Sequence, residues 1–266
     1  MPWTHRAAAA TSLWFFAATA AHAQPPADGL EISLGLGAAP DYLGSDDYVA
    51  APLPGFQYRR GDMAVRSNNL GVEATWSLGP ASIGAIARLD PGRNDLFDVK
   101  DRAVKRLGRV KAAAEVGALA EAAFPLGEPG GAMLVSRISL VRRVSDSDGW
   151  LVEASAGPLV QLSPELSVSA FVSASVQSDG YADTFFSVDG AGAARSGLRR
   201  FKAGGGCRDV GVLLLATGTV SERVAVSVIA SYTRLQGDAR RSPIVSDRGA
   251  AGQRFAGVSL TYRFGR

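Results

Sequence analysis

The sequence predicts an all-β fold: one transmembrane antiparallel β-barrel of twelve strands, with long extracellular loops and short periplasmic turns. Three observations carry this. Apolar and polar residues alternate with period two over many segments, which is the repeat of a strand whose two faces meet different surroundings. The connections between these segments alternate long and short, as in barrels whose loops face outward and whose turns face the periplasm. The first 23 residues have the layout of a secretory signal.

In that leader, Arg6 gives a positive start, residues 7–20 are apolar, and Ala21, His22 and Ala23 form a small-x-small cleavage site. The apolar run is shorter than the roughly 20 residues a membrane-spanning helix needs. Residues 1–23 are therefore expected to be a cleaved signal peptide, and residues 24–266 a single outer-membrane barrel domain. Cleavage would remove one of the 28 basic residues and none of the 25 acidic ones, leaving a nearly neutral chain. Its basic residues are interspersed with acidic ones and match no nucleic-acid module, so no nucleic-acid partner is expected.

Cleavage would also remove both histidines, His5 and His22, which excludes a histidine base or metal ligand. Cys207 is the single cysteine, so no internal disulfide can form; it reads as a small loop residue beside three glycines, the alternative being a reactive or intermolecular thiol. No G-x-S-x-G or S-x-x-K motif and no phosphate-binding glycine loop occurs. The expectation is a non-enzymatic protein with no catalytic residue, cofactor or metal.

The strands follow in order. Leu30, Ile32, Leu34 and Leu36 alternate with Glu31, Ser33, Gly35 and Gly37 in the first. Residues 39–50 read as a loop. Pro52 and Pro54 disturb the second strand, which recovers through Phe56 and Tyr58, because proline suits only a strand start or a bulge. Residues 63–67 form a short third strand. Val72, Ala74, Trp76 and Leu78 mark the fourth, and Ile83, Ala85, Ala87 and Leu89 the fifth. Residues 90–109 read as a charged loop. The sixth strand, from about 110 to 124, is Ala-rich; Lys111, Glu115, Gly117 and Glu121 share one parity, which favours strand over helix. Residues 132–144, 150–162 and 166–176 form the next three. In the last of these one face is wholly apolar and the other is mostly serine, with Phe171 the exception. Residues 178–208 read as a long Gly-rich loop, 209–220 and 224–234 as strands, 235–254 as a loop, and 255–264 as the closing strand.

Parity places Glu73, Arg88, Glu115, Glu121, Arg137, Arg143 and Glu153 in the lumen. Two readings stand open. Either these charges compensate one another and fill the interior, because charge in low dielectric must be paired, or they form the charge rings of a selective conduit. Twelve strands enclose less room than the sixteen to eighteen of wide porins, so an open water channel is not expected. Arg142 and Arg234 share the parity of apolar faces and fall near extracellular ends. An outward arginine costs about 2–4 kcal/mol at mid-membrane and almost nothing at the interface. Both read as anchors to lipopolysaccharide phosphate among the outer-membrane lipids. Trp76, Trp150, Tyr58, Tyr232, Tyr262 and Phe264 read as aromatic girdles.

Three segments carry a family resemblance. Asp41, Tyr42, Gly44, Ser45 and Tyr48 lie in DYLGSDDY; RDVGV spans 208–212; and Ser242, Pro243, Ile244 and Val245 precede Gly249, Gln253, Phe255 and a YRF end at 262–264. In this order and spacing they are similar to the MipA/OmpV family (MltA-interacting protein). The resemblance implies an outer-membrane protein that acts as a scaffold between a murein-degrading lytic transglycosylase and a murein-synthesising penicillin-binding protein. A partner would then dock on the short-turn rim, at Arg59, Arg60, Asp62, Glu128, Glu165, Glu222 and Arg223, together with the short polar lead at residues 24–29. The alternatives are a narrow solute channel and surface binding through the long loops. The 41–48 and 242–249 segments fall on the extracellular side, where Gly44, Pro243 and Gly249 suit turns that fold the loops over the mouth.

Overall fold

A computed structural model of the chain describes residues 28–127, 131–144 and 149–264. The expected signal at 1–23, most of the 24–29 lead, Glu128 and the centres of the turns at 127–131 and 145–149 lie outside these residues. The described strands form one closed antiparallel sheet. β1 (Gly29–Pro40) pairs on one side with β2 (Tyr48–Pro52) and β3 (Gly55–Arg60). The sheet continues through β4 (Met63–Asn68), β5 (Gly71–Leu78), β6 (Ala81–Asp90), β7 (Ala113–Pro125), β8 (Ala132–Val144) and β9 (Gly149–Ser163). It is completed by β10 (Leu166–Gln177), β11 (Gly206–Ser221), β12 (Val224–Leu235) and β13 (Gly252–Phe264). β13 returns to β1 in register from Leu30 against Phe264 to Ala38 against Ala256, so no edge is left open.

Thirteen segments make twelve staves because β2 and β3 are one stave broken at Pro52 and Pro54, which have no N–H to donate. Leu53 between them repairs the ladder: its N–H donates to Gly35 O at 2.9 Å and its carbonyl accepts from Gly35 N at 3.0 Å. The closed twelve-stranded barrel expected from period two is therefore the observed fold.

The loops differ from expectation. Residues 90–109 contain α1 (Arg102–Arg106), capped by Asp101, whose Oδ1 accepts from Ala103 N and Val104 N. Residues 178–205 contain α2 (Asp179–Phe186) and α3 (Gly190–Ser196), and α4 (Gly237–Arg241) and α5 (Pro243–Ser246) lie between β12 and β13. These helices have at most eight residues, too short for helical periodicity to show. Strand β1 runs on to Pro40, β7 starts only at Ala113, and β11 starts at Gly206. Cys207 is thus an exposed strand residue, not a loop residue.

Most outward side chains of the long strands are apolar and exposed, as at Leu34, Val172, Leu214 and Leu260. Tyr58, Trp76, Tyr262 and Phe264 sit at the short-turn end, and Trp150 and Tyr232 at the long-loop end, all outward. The interior has two characters. Near β10–β13 it holds an apolar cluster of Phe171, Leu213, Leu215, Ile229 and Phe255 with Ala39 and Ala51. Near β4–β9 it is charged.

Strand spacing at β7–β8 depends on glycine. A Cβ at Gly117 would lie 1.9 Å from the Leu140 carbonyl oxygen, whereas one at Gly218 would meet nothing within 4 Å. We expect Gly117→Ala to deplete the heat-modifiable folded band on electrophoresis and Gly218→Ala to leave it unchanged. Equal folding of both variants would show that β7 and β8 can part at this point.

Candidate functional site: a paired-charge interior under a loop cap

Buried charge in a barrel wall is tolerable only when carboxylate and guanidinium meet. Two clusters achieve this. In the first, Arg66 of β4 pairs with Glu73 of β5 and Glu121 of β7. Arg137 of β8 reaches the same two carboxylates, its Nη2 lying 2.6 Å from Glu73 Oε2. Asn68 Nδ2 donates to Glu73 Oε2 at 2.8 Å. In the second, Arg88 of β6 lies 2.6 Å from Glu115 Oε2 and 3.2 Å from Glu153 Oε2. Arg208 Nη2 is 3.5 Å from Glu153 Oε1, and its Nε is 2.5 Å from Asp209 Oδ2. Arg143 pairs with Asp90, donates to the Lys111 carbonyl, and stacks over Phe185 at 5.4 Å.

Many of these contacts skip strands. Arg66 to Glu121 runs from β4 to β7, Arg137 to Glu73 from β8 to β5, and Arg88 to Glu153 from β6 to β9. They are chords across the interior rather than neighbours along a ladder.

All seven charges placed inside by parity are brought together here; six are buried and Glu121 is partly exposed. Arg142 and Arg234 face outward near the long-loop end and do not join them. Sequence reasoning missed Arg66, Asp90, Arg208, Asp209 and Tyr181. Arg66 and Asp90 share the parity of Asn68 and Arg88 and were legible in principle. Arg208 and Asp209 are adjacent, so strict alternation cannot bury both. A bulge does so: Ser175 pairs with Asp209 but Val176 pairs with Cys207, which leaves Arg208 as the extra residue. The bulge aims both side chains inward, and this gives the RDVGV segment a physical role.

The 41–48 and 242–249 segments build the cap. Asp41, Tyr42, Gly44, Ser45, Ser242, Pro243, Ile244 and Val245 are buried, and Tyr48 is exposed. Tyr42 Oη donates to the Arg248 carbonyl at 3.1 Å. Gln253 clamps the two segments: its Oε1 accepts from Gly44 N at 3.0 Å and its Nε2 donates to Ser45 O at 3.0 Å and Ala250 O at 2.6 Å. Ser242 Oγ donates to Phe186 O at 2.6 Å, tying the α4–α5 turn to α2. Gly44 has φ +100°, and a Cβ at Gly249 would lie 1.9 Å from its carbonyl oxygen. Tyr42, Val104, Val188, Leu198 and Ile244 form an apolar core inside the cap.

Outside the strands, burial raises the Asp41 carboxyl and the Tyr42 hydroxyl above their usual ranges. Burial also pulls the Arg93 guanidinium down to about 10; its Nη1 donates to Phe185 O at 2.6 Å. At Asp101 modest burial acts upward but is outweighed by the Arg248 guanidinium and by the N–H groups of Val104 and Ala103, so this carboxyl sits below its usual range.

Two outcomes follow. Glu73→Ala leaves the buried Arg137 and the partly buried Arg66 guanidiniums under-compensated and should cost about 3–5 kcal/mol in urea unfolding from detergent. Removing Glu31 from its half-exposed rim pair with Arg263 should cost no more than about 1 kcal/mol; equal costs would show that the interior pairs are hydrated. A depressed Asp101 pKa stabilises the cap above the unfolded value near ~3.9, and that contribution disappears as pH falls through the folded value. Asp41 has the opposite sign and gains as pH falls, which partly offsets the loss. Protection of the Ala103 and Val104 amides, relative to their intrinsic exchange at the same pH, should therefore fall below about pH 4, and Asp101→Ala should show fast exchange already at neutral pH. Slow exchange in that variant would mean that α1 does not depend on its cap.

In sequence, residues 32–264 match the family described as MltA-interacting protein MipA. No curated protein matches the chain. In structure, the chain is similar to the COG4313 outer membrane channel from Pseudomonas putida F1, with a TM-score of 0.50, 9% identity, and coverage of 92% of this chain and 98% of that one. It is also similar to the NanC porin, with a TM-score of 0.49, 7% identity, and coverage of 88% and 100%. A third similarity is to the Pseudomonas putida toluene transporter TodX, with a TM-score of 0.41, 10% identity and 89% coverage of each. At 9% identity the likeness to the COG4313 channel shows the barrel fold alone. The family match spans β1 to β13, and the chain belongs to the MipA family.

Proposed function

We propose that this protein is a non-enzymatic docking barrel of the Gram-negative outer membrane, reached after removal of a signal peptide near Ala23. Its periplasmic rim would hold a lytic transglycosylase and a penicillin-binding protein near one another. The observation that carries this is an interior crossed by ion pairs and closed by loops. Chords of paired charge and an apolar cluster lie inside the wall, and the loops pack into a cored cap. Such a barrel acts through its surfaces. The family description supplies the class of partner, since it names interaction with MltA. The rim offers the exposed charges Arg60, Asp62, Glu165, Glu222 and Arg223 on tight turns. Outward Arg142 and Arg234, at the long-loop end, would bind lipopolysaccharide phosphate and fix the depth of the barrel.

The test is capture from detergent-solubilised envelopes with the folded barrel as bait and an unrelated folded barrel as control. Lytic transglycosylase should be enriched, and Arg60→Glu with Arg223→Glu should reduce the enrichment at least tenfold without changing the folded band. In planar bilayers the wild-type barrel should show no steady conductance. Failure to enrich a murein enzyme, together with a stable open current, would replace docking with the narrow-channel reading.

A further inference from the structure

The register of β8, β9 and β10 sets Ser139 beside Glu153 and Glu153 beside Ser175 in one row. Ser155 lies two residues beyond Glu153 on β9 toward the short-turn end, and Gln177 two residues beyond Ser175 on β10 toward the loops, both at inward positions that flank this row. All five are more than nine-tenths buried. Ser139 Oγ, Ser155 Oγ, Ser175 Oγ, Gln177 Oε1 and Glu153 Oε1 have no hydrogen-bond partner among the described residues. The same holds for Arg88 Nη2 and Arg208 Nη1, on the two guanidiniums that flank Glu153. A buried polar atom without a partner is costly, and native interiors hold few of them. Seven on one patch of wall call for a partner of matching chemistry.

We propose that this wall is a hydrated chamber, a binding site for hydroxylic ligands: water molecules or the hydroxyls of a small polar solute. The unsatisfied set mixes guanidinium donors, carboxylate and amide acceptors, and serine hydroxyls that do both. A hydroxylic oxygen both donates and accepts, and can bridge such a set with two to four bonds. An anion fits poorly, because Glu115, Glu153 and Asp209 outnumber Arg88 and Arg208. A hard cation fits poorly too, because the one unsatisfied carboxylate oxygen already faces a guanidinium 3.5 Å away.

The chamber has walls. On the loop side, Tyr181 of α2 packs with Val141 and Leu151, the row next to Ser139 and Glu153. Its Oη donates to Glu115 Oε1 at 3.0 Å. A Cβ at Gly149 would come within 2.9 Å of Tyr181 atoms, so α2 lies directly on the start of β9. On the far side stand Phe171 and Leu213, paired across β10 and β11. Helix α2 thus acts as the stopper of a polar chamber, held from above by Arg93 through the Phe185 carbonyl.

The experiment has two arms on the full-length mature barrel in detergent. A crystal structure at about 2 Å should show hydroxylic oxygens within hydrogen-bond distance of Ser139, Glu153 and Ser175. Native mass spectrometry assigns the source: a retained mass increment identifies a solute, and its absence identifies water. In the second arm, Ser139→Ala/Ser155→Ala/Ser175→Ala should lower Tm by several degrees, because it strips bonded hydroxyls; Ser175→Ala alone gives the same sign if the triple variant does not fold. Density without such oxygens, or a variant as stable as wild type or more so, overturns the proposal, since deleting truly unpartnered hydroxyls relieves a cost.

Discussion

The structure depends on the pairing of buried arginine with carboxylate across the barrel. A guanidinium inside a membrane-embedded wall keeps its charge, so a carboxylate must come to it. Arg66, Arg88 and Arg137 each reach carboxylates on two strands, which fixes how β4 to β9 stand relative to one another. A register slip of one residue in any of these strands would turn its charge outward into lipid. The pairs therefore specify one register, where backbone ladders alone would accept several.

The cap extends the same logic to the loops. Twenty or more residues in a connection would ordinarily be mobile, and here they are held by cross-loop bonds rather than by helix length. Gln253 at the foot of β13 bonds both the 41–48 loop and its own. Tyr42 reaches the Arg248 carbonyl, and Asp101 of the 91–112 loop meets the Arg248 guanidinium at 2.5 Å. Segments far apart in sequence thus converge on a few side chains, so the 41–48 and 242–249 segments fold together as one cap.

Much of the barrel was legible because period two is a strong signal on long strands, and the seven lumen charges follow from parity alone. What was hidden has local causes. The five short helices have no room for periodicity, although Asp101 before α1 and Ser242-Pro243 before α5 are ordinary start signals. The bulge at Arg208 breaks the alternation on which the lumen assignment rests, so a strand residue was read as loop. Tyr181 reaches Glu115 from a loop helix, and no pattern within β7 could announce it.

The two halves of the interior bear on why charge is present at all. Next to β10–β13, Phe171, Leu213, Leu215 and Phe255 fill the barrel with apolar packing, so this chain can close a lumen without charge. Replacing a buried ion cluster with such packing is often neutral or stabilising. Retaining it on the β4–β9 side is therefore not explained by closure alone. The charged side, together with the loop end of β10, is also where buried serine and glutamine atoms have no hydrogen-bond partner among the described residues. A dry wall gains nothing from those groups, whereas a wet one needs donors and acceptors facing the solvent it encloses. The asymmetry follows if one half of the barrel is a structural core and the other half has solvent as part of its packing.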